Sequence, residues 1–343
     1  HLGDDAWAPK WTAGFLAGML WIVAQRTGDP WWRQQAERYS RDLAPRRFDT
    51  GTHDLGFLFT PSYGRWRGFD DTDEVRAVLV DAGRTMAGRF NSVGRYLPTW
   101  VDEGSTFIDV MMNLDIIYEA AEIAGDKNLA AIATAHALTS RRHLVRGDAT
   151  VIHEGWFDPA TGAFLRADTH QGWRSDSSWV RGHAWAIYGF ARAFARTGDT
   201  HFLTTAQLLA DSYIERSGAG LPPNDWEEAA PAAPVESSAA CIAAAGLAEL
   251  AEACGEEGQR FRDAAILTVE LLSSSDYLAA ADDGWDGLVK HATYHLDNDL
   301  GVDESVMWGD HYYLEAVHRL FPSRAGRTEA SDPSAPSRSE DAR

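Results

Sequence analysis

The chain has 343 residues, with 31 basic against 51 acidic side chains and a formal net charge of −20. That acidity excludes the basic footprint a nucleic-acid polymer needs, no apolar run approaches the roughly 18–20 residues of a bilayer span, and two cysteines (Cys241, Cys254) make neither a disulfide framework nor a zinc site. Fourteen tryptophans are about three times an ordinary share, which a Trp-rich core explains first and flat platforms under a sugar ring second.

In chain order the periodicity predicts helix after helix. Residues 12–26 and 31–43 carry helical spacing, separated by Thr27-Gly28-Asp29-Pro30, and the same punctuation recurs at Ala124-Gly125-Asp126, Thr197-Gly198-Asp199 and, more loosely, Cys254-Gly255-Glu256. Glycine ends one helix in a left-handed turn and the acid caps the next, so the pattern describes stacked helical hairpins. Segments rich in Ala, Gly and aromatics form the expected inner set: 12–26, 53–60, 105–122, 177–196, 236–253 and 303–320. More charged segments form the outer set: 31–43, 71–90, 127–143, 199–214 and 256–273. The reading is an all-α (α/α)6 barrel lacking one outer helix, either because that helix precedes His1 or because 44–70 hides it. Short strands are expected at 151–153 and 164–166. Connections 144–176, 215–235 and 274–302, holding Trp156, Trp173, Trp226 and Trp285, are long enough to carry function. Residues 1–322 read as one catalytic domain and 323–343 as a disordered tail.

Two places could carry chemistry. Asp109 sits in an apolar stretch of the 105–122 segment, where a carboxyl is costly unless paired or protonated, and a nearby Asp54 would raise its proton affinity further. The competing readings are that Asp109 caps a helix beginning near Ser105, or that Asp115 is the acid instead. In 170–190, Gln171, Arg181 and Trp185 gather at the mouth of an inner helix, where Arg181 either forks onto a carboxylate or pairs with Asp176. His153 and His183 are candidate proton-transfer groups. His291 and His295 find no further ligand nearby, and 296–299 lacks calcium-loop spacing, so no metal and no cofactor are expected.

The blocks WTAGFLAGMLW (11–21), HDLGF (53–57), FIDVMMNLD (107–115), DSSWVRGHAWAIYGF (176–190), ESSAACIAAAGL (236–247) and VDESVMWGDHYYLEA (302–316) together resemble glycoside hydrolase family 88. The resemblance implies an (α/α)6 barrel that removes a 4,5-unsaturated uronic acid from lyase-generated oligosaccharides by hydrating the C4=C5 enol ether. It also implies Asp109 as general acid/base, Asp54 as its partner, His153, Gln171, Arg181 and Trp185 as substrate-binding residues, and Trp11 and Trp100 as pocket walls. Glu236 stands where the family pattern leads one to expect Asp, and its role is open. The partner implied is a short unsaturated uronate oligosaccharide, with no nucleic acid and no membrane. A monomer or homodimer in the cytoplasm is the default. Family members acting on sulfated substrates can carry a Ser/Lys motif near the last inner helix; here 296–303 reads LDNDLGVD, which favours unsulfated or lightly sulfated disaccharides. The rivals are an unsaturated rhamnogalacturonyl hydrolase, a sugar 2-epimerase using paired histidines, and a non-catalytic carbohydrate-binding barrel.

Overall fold

The computed structural model describes residues 8–228 and 234–322; the expected tail at 323–343 lies outside them. The helices are α1 (Ala8–Thr27), α2 (Pro30–Leu43), α3 (Leu55–Phe59), α4 (Arg65–Arg67), α5 (Asp73–Ala87), α6 (Val110–Asn113), α7 (Asp115–Ala124), α8 (Lys127–His143), α9 (Val180–Thr197), α10 (Thr200–Ser217), α11 (Ser237–Cys254), α12 (Gln259–Leu272) and α13 (Met307–Leu320). An inner ring runs α1, α3, α6 with α7, α9, α11 and α13, and α13 packs back on α1 to close it. Among the described residues α2, α5, α8, α10 and α12 form the outer layer. The Gly-acid turns are built as their sequence requires. Gly28, Gly125 and Gly198 take φ of +68, +65 and +70°, and the side chains of Asp29, Asp126 and Asp199 accept the backbone N–H of Trp31, Asn128 and His201.

What closes the ring is a glycine at each of its seams. A β-carbon on Gly14 of α1 would lie 2.3 Å from the Phe57 carbonyl of α3, and one on Gly56 of α3 would lie 2.4 Å from the Asn113 Cα of α6. Gly189 of α9 meets Met111 of α6 at 2.6 Å, Gly246 of α11 meets Tyr188 of α9 at 2.9 Å, and Gly309 of α13 meets Ser238 of α11 at 3.2 Å. Gly18 of α1 closes the circuit against His311 of α13 at 2.6 Å. These contacts leave no room for a side chain, so inner helices approach more closely than larger residues would permit. At the α3–α6 seam, Asn113 fixes the register: its side-chain oxygen accepts the Phe57 N–H at 2.9 Å, and its amide donates to the Asp109 carbonyl at 3.3 Å.

Several boundaries differ from expectation. Residues 105–107 form strand β1 (Ser105–Phe107), not the first turn of a helix, and pair with β2 (Glu154–Phe157), which pairs with β3 (Phe164–Asp168). Thr106 is held there by donating its hydroxyl to the Leu97 carbonyl at 2.8 Å. The expected strand at 151–153 begins instead at Glu154, Val151 contributing an isolated bridge to Val145. Residues 303 and 304 belong to β5 (Leu300–Glu304), paired with β4 (Ala292–His295), so the last inner helix starts at Met307. The second inner helix does not stop at Thr60: a π-helical turn, Thr60–Gly64, admits Pro61, which has no N–H and would clash in a regular turn. Ser237–Leu272 is the one stretch among the described residues long and apolar enough to pass as a membrane span, and it is mostly buried as a core hairpin.

Gly56→Ala forces its new methyl against the Asn113 backbone. We expect a loss of about 2–4 kcal/mol, read from the urea midpoint. A Gly64→Ala control meets nothing closer than 3.6 Å, so it isolates the seam from any general effect of replacing a glycine.

Candidate active site

The inner helices begin at the same end of the ring, and their first residues surround a cavity of about 140 Å³. Trp11 comes from the first turns of α1, Asp54 and Phe57 from the start of α3, Asp109 from the residue before α6, and Arg181 from the start of α9. Loops and strands complete the wall with His53, Trp100, Phe107, His170, Gln171, Tyr294, His295, Asn298 and Leu300.

Asp109 occupies the N-cap position of α6, yet its carboxylate makes no capping bond. Its Oδ2 is buried and has no hydrogen-bond partner. The nearest donor is His153 Nε2 at 3.7 Å, itself without a partner. Burial pushes the Asp109 carboxyl up to about 7, against the pull of Arg181 and helped by the charge of Asp54. A carboxyl half-protonated near neutrality can both give and take a proton. His153 is held in one tautomer: Nδ1 accepts the backbone N–H groups of His170 and Gln171 at 3.1 and 3.3 Å, which leaves the proton on Nε2, facing Asp109. Burial keeps the His153 ring well below its ordinary proton affinity, and its neighbours His170, Arg181, His295 and His53 act in the same direction. His153 is therefore a neutral donor.

Asp54 is buried, with Oδ2 accepting the Thr52 hydroxyl at 2.9 Å and Oδ1 lying 3.4 Å from His53 Nε2. Arg89 fixes the two loops behind it by donating to the carbonyls of Thr50, Pro98 and Thr99 at 2.7, 2.9 and 2.7 Å. Those loops carry Asp54 and Trp100.

Arg181 does not pair with Asp176, whose carboxylate instead meets Arg174 at 2.9 Å. Its Nη1 and Nη2 donate to the carbonyls of Thr293 and Tyr294 at 2.6 and 2.7 Å, and Nη1 lies 3.4 Å from Glu236 Oε2. The guanidinium stacks on Trp179 at 4.3 Å. Much of the expected bidentate fork is thus spent on the β4 backbone. Gln171 shares that anchor, donating its amide to the Tyr294 carbonyl at 3.2 Å.

The other candidates fall elsewhere. Trp185 is buried beneath Phe57, with ring centroids 5.0 Å apart, and does not line the cavity. His183 is turned outward, its Nε2 bonded to the Leu209 carbonyl of α10 at 2.8 Å, so no pair of catalytic histidines is assembled with His153. Asp115 is a structural anion, bound to Arg192 and Arg196 at 2.5 and 2.6 Å and held well below the carboxylate range despite its burial. His291 pairs with Asp303 at 2.5 Å outside the cavity, and no cluster of three metal-ligating side chains occurs among the described residues. Among the described tryptophans, Trp11 and Trp100 line the cavity, while Trp156, Trp173, Trp226 and Trp285 do not. His53, His170 and Tyr294 also line the cavity; they lie within the 53–57 block and the 144–176 and 274–302 connections, but no spacing in the sequence singles them out.

No family model matches the chain. Among curated proteins it is 36% identical over 330 residues to the unsaturated glucuronyl hydrolase of Bacillus sp. (strain GL1), covering 90% of this chain and 86% of that one. It is 28% identical to the unsaturated chondroitin disaccharide hydrolase of Streptococcus pyogenes serotype M1, over 91% and 81% of the two chains. The crystal structure of the unsaturated glucuronyl hydrolase from Bacillus sp. GL1, described as responsible for glycosaminoglycan degradation, superposes with a TM-score of 0.87 at 34% identity, covering 94% of this chain and 88% of that one.

The raised Asp109 carboxyl has a stability consequence. The folded chain holds this proton more tightly than the unfolded chain, so the stability it contributes is complete below the ordinary value of 3.8 and is lost as pH rises to about 7. Asparagine mimics the protonated form. Asp109→Asn should therefore be more stable than the parent by about 1–3 kcal/mol at pH 8, with the difference vanishing near pH ~4, as measured by denaturant unfolding.

Proposed function

Because the chain belongs to the unsaturated glucuronyl hydrolases, we propose that Asp109 is the general acid/base of its reaction and Asp54 its partner carboxylate. The enzyme is a glycoside hydrolase that removes a 4,5-unsaturated uronic acid from the non-reducing end of an oligosaccharide by hydrating the C4=C5 bond. Asp109 protonates C4, positive charge develops at C5 and the ring oxygen, and water adds at C5 while Asp109 takes back a proton. The hemiketal then opens and releases the sugar. The observation that carries this assignment is the buried, unpartnered Oδ2 facing the Nε2–H of a neutral His153. That proton steadies the carboxylate as it forms without competing for the transferred proton.

Trp11 and Trp100 supply the aromatic walls, Asp54 orients substrate hydroxyls and keeps Asp109 protonated, and His153, Gln171 and Arg181 fix the polar side of the site. Trp185 serves by supporting Phe57 from below. The site uses no cofactor and no metal in this reading. Asn298 and Leu300 bring the acidic 296–303 segment to the mouth, which supports a preference for unsulfated or lightly sulfated substrates. The partner is a short oligosaccharide, taken by a monomer or homodimer, and the two free thiols are consistent with the cytoplasm.

Asp109→Asn should fold yet consume the ultraviolet chromophore of an unsaturated disaccharide about 10²–10⁴ times more slowly. The parent enzyme needs Asp109 protonated, so kcat/KM should fall tenfold per pH unit above about 7. Near-normal turnover by the variant would remove Asp109 from this role. In a separate comparison, an unsulfated unsaturated chondroitin disaccharide should exceed its 6-sulfated counterpart in kcat/KM by about tenfold or more.

A further inference from the structure

Glu236 has no task in the reaction as described, yet it is wholly buried and bonded through both oxygens. Oε1 caps α11, accepting the Ala239 N–H at 2.9 Å and the Ser238 hydroxyl. A shorter acid or a serine would serve for that alone. The longer side chain carries Oε2 out of the cap to accept the Thr293 N–H at 2.6 Å, and to lie 3.4 Å from Arg181 Nη1. Thr293 is also the residue whose carbonyl Arg181 grips. Helix α9, helix α11 and strand β4 therefore meet at one ion pair. Trp308 closes the group by donating to Ser238 Oγ at 2.9 Å while its ring lies 5.4 Å from the guanidinium.

We propose that Glu236 is a positioning residue for the reaction: it holds Arg181 against the β4 wall and offsets the cation's charge, which Asp109 would otherwise experience in full. This rests on Asp109 being the general acid. Among the described residues, Arg181 is the cation that acts on Asp109 and favours loss of its proton, whereas Asp54 favours keeping it. His153 faces the same carboxyl from the β2 side, and burial keeps it neutral, as it does the cavity-lining His53, His170 and His295 to lesser degrees. Around Glu236 the other titratable groups are Cys241 of α11 and Tyr213 of α10, both kept neutral by burial. Asp310 of α13 is engaged elsewhere, accepting the N–H groups of Leu288 and Val289 at 3.0 and 2.9 Å. Burial raises the proton affinity of Glu236, while Arg181 and the hydrogen bonds from Ser238, Thr293 and Ala239 oppose it. Because both oxygens accept hydrogen bonds and Oε2 faces the guanidinium, Glu236 is the carboxylate paired with Arg181.

The test is the pH profile of kcat/KM on an unsaturated disaccharide for the parent, Glu236→Gln and Glu236→Asp. The position of the alkaline limb does not depend on how much enzyme is folded, so losses of yield do not obscure it. Glutamine keeps the volume and removes the charge, leaving Arg181 unopposed. The limb should move down by about one pH unit, with kcat/KM at pH 8 falling about tenfold and returning towards the parent value below pH ~6. Aspartate withdraws the carboxylate by about one bond length and should move the limb the same way by less, which carries the test if the glutamine variant fails to fold. A limb at the parental position in either variant, with activity lowered equally at all pH values, would overturn the proposal. Failure of the underlying assignment looks different: the parent itself would show no alkaline limb that Asp109→Asn abolishes.

Discussion

Six helices can close a ring only if each approaches two neighbours at once, and here a glycine at each seam admits the neighbouring helix, by its backbone at Gly14 and Gly56 and by its side chains at the other four. Gly14, Gly18, Gly56, Gly189, Gly246 and Gly309 stand one to a seam. The site depends on this directly. Gly56 sits against Asn113, and Asn113 joins the start of α3 to the carbonyl of Asp109, so the two carboxyl-bearing segments are spaced by the same contact that seals the ring. A wider seam would move Asp54 away from Asp109 and weaken the repulsion that helps keep the second carboxyl protonated.

The first turns of α1 and α9, both long helices, border the cavity through Trp11 and Arg181, so their N-terminal partial charges favour an anion there. This qualifies the puzzle of an enzyme with net charge −20 that takes an anionic substrate. Burial lowers the proton affinity of the cavity histidines His170 and His295, so Arg181 is the cation that lines the cavity among the described residues. At the opposite end the helix C-termini meet arginines. Arg65, Arg192, Arg196 and Arg319 line a second cavity of about 290 Å³ with Asp115, Glu119 and Glu315, a lattice of ion pairs that matches the dipoles in sign.

The hairpins were legible because their punctuation is local: a glycine followed directly by an acid specifies the turn whatever lies beyond. Of the strands, 164–166 was anticipated and lies within β3, but the others were not. Ser105–Phe107 and Leu300–Glu304 are too short to show alternation, and each exists because a distant segment pairs with it. The expected segment ended at residue 60, but a π-helical turn at Thr60–Gly64 carries the chain on through Pro61, which packs close to Gly18 of α1. Of the site, the apolar setting marked Asp109 as a costly carboxyl but left Asp115 and a capping role beside it, and the family resemblance, not the spacing, singled it out. The raised proton affinity of Asp109 was not legible, since it depends on burial and on the opposing charges of Arg181 and Asp54, which lie 72 and 55 positions away by the chain numbering. Trp185 shows the opposite failure: four residues after Arg181 on the same helix, it is one layer too deep to touch a ligand.

Phe57 lines the catalytic cavity and the arginine-lined one alike, with its ring wedged among Trp11, Phe15 and Trp185 at centroid distances of 5.5, 5.5 and 5.0 Å. Phe57 therefore stands as a partition between the two cavities. On one side lies the Asp109 carboxyl, whose proton affinity is raised by burial, and on the other a compartment lined with ion pairs. A smaller side chain at this position would open one cavity towards the other and weaken the burial on which the Asp109 proton depends.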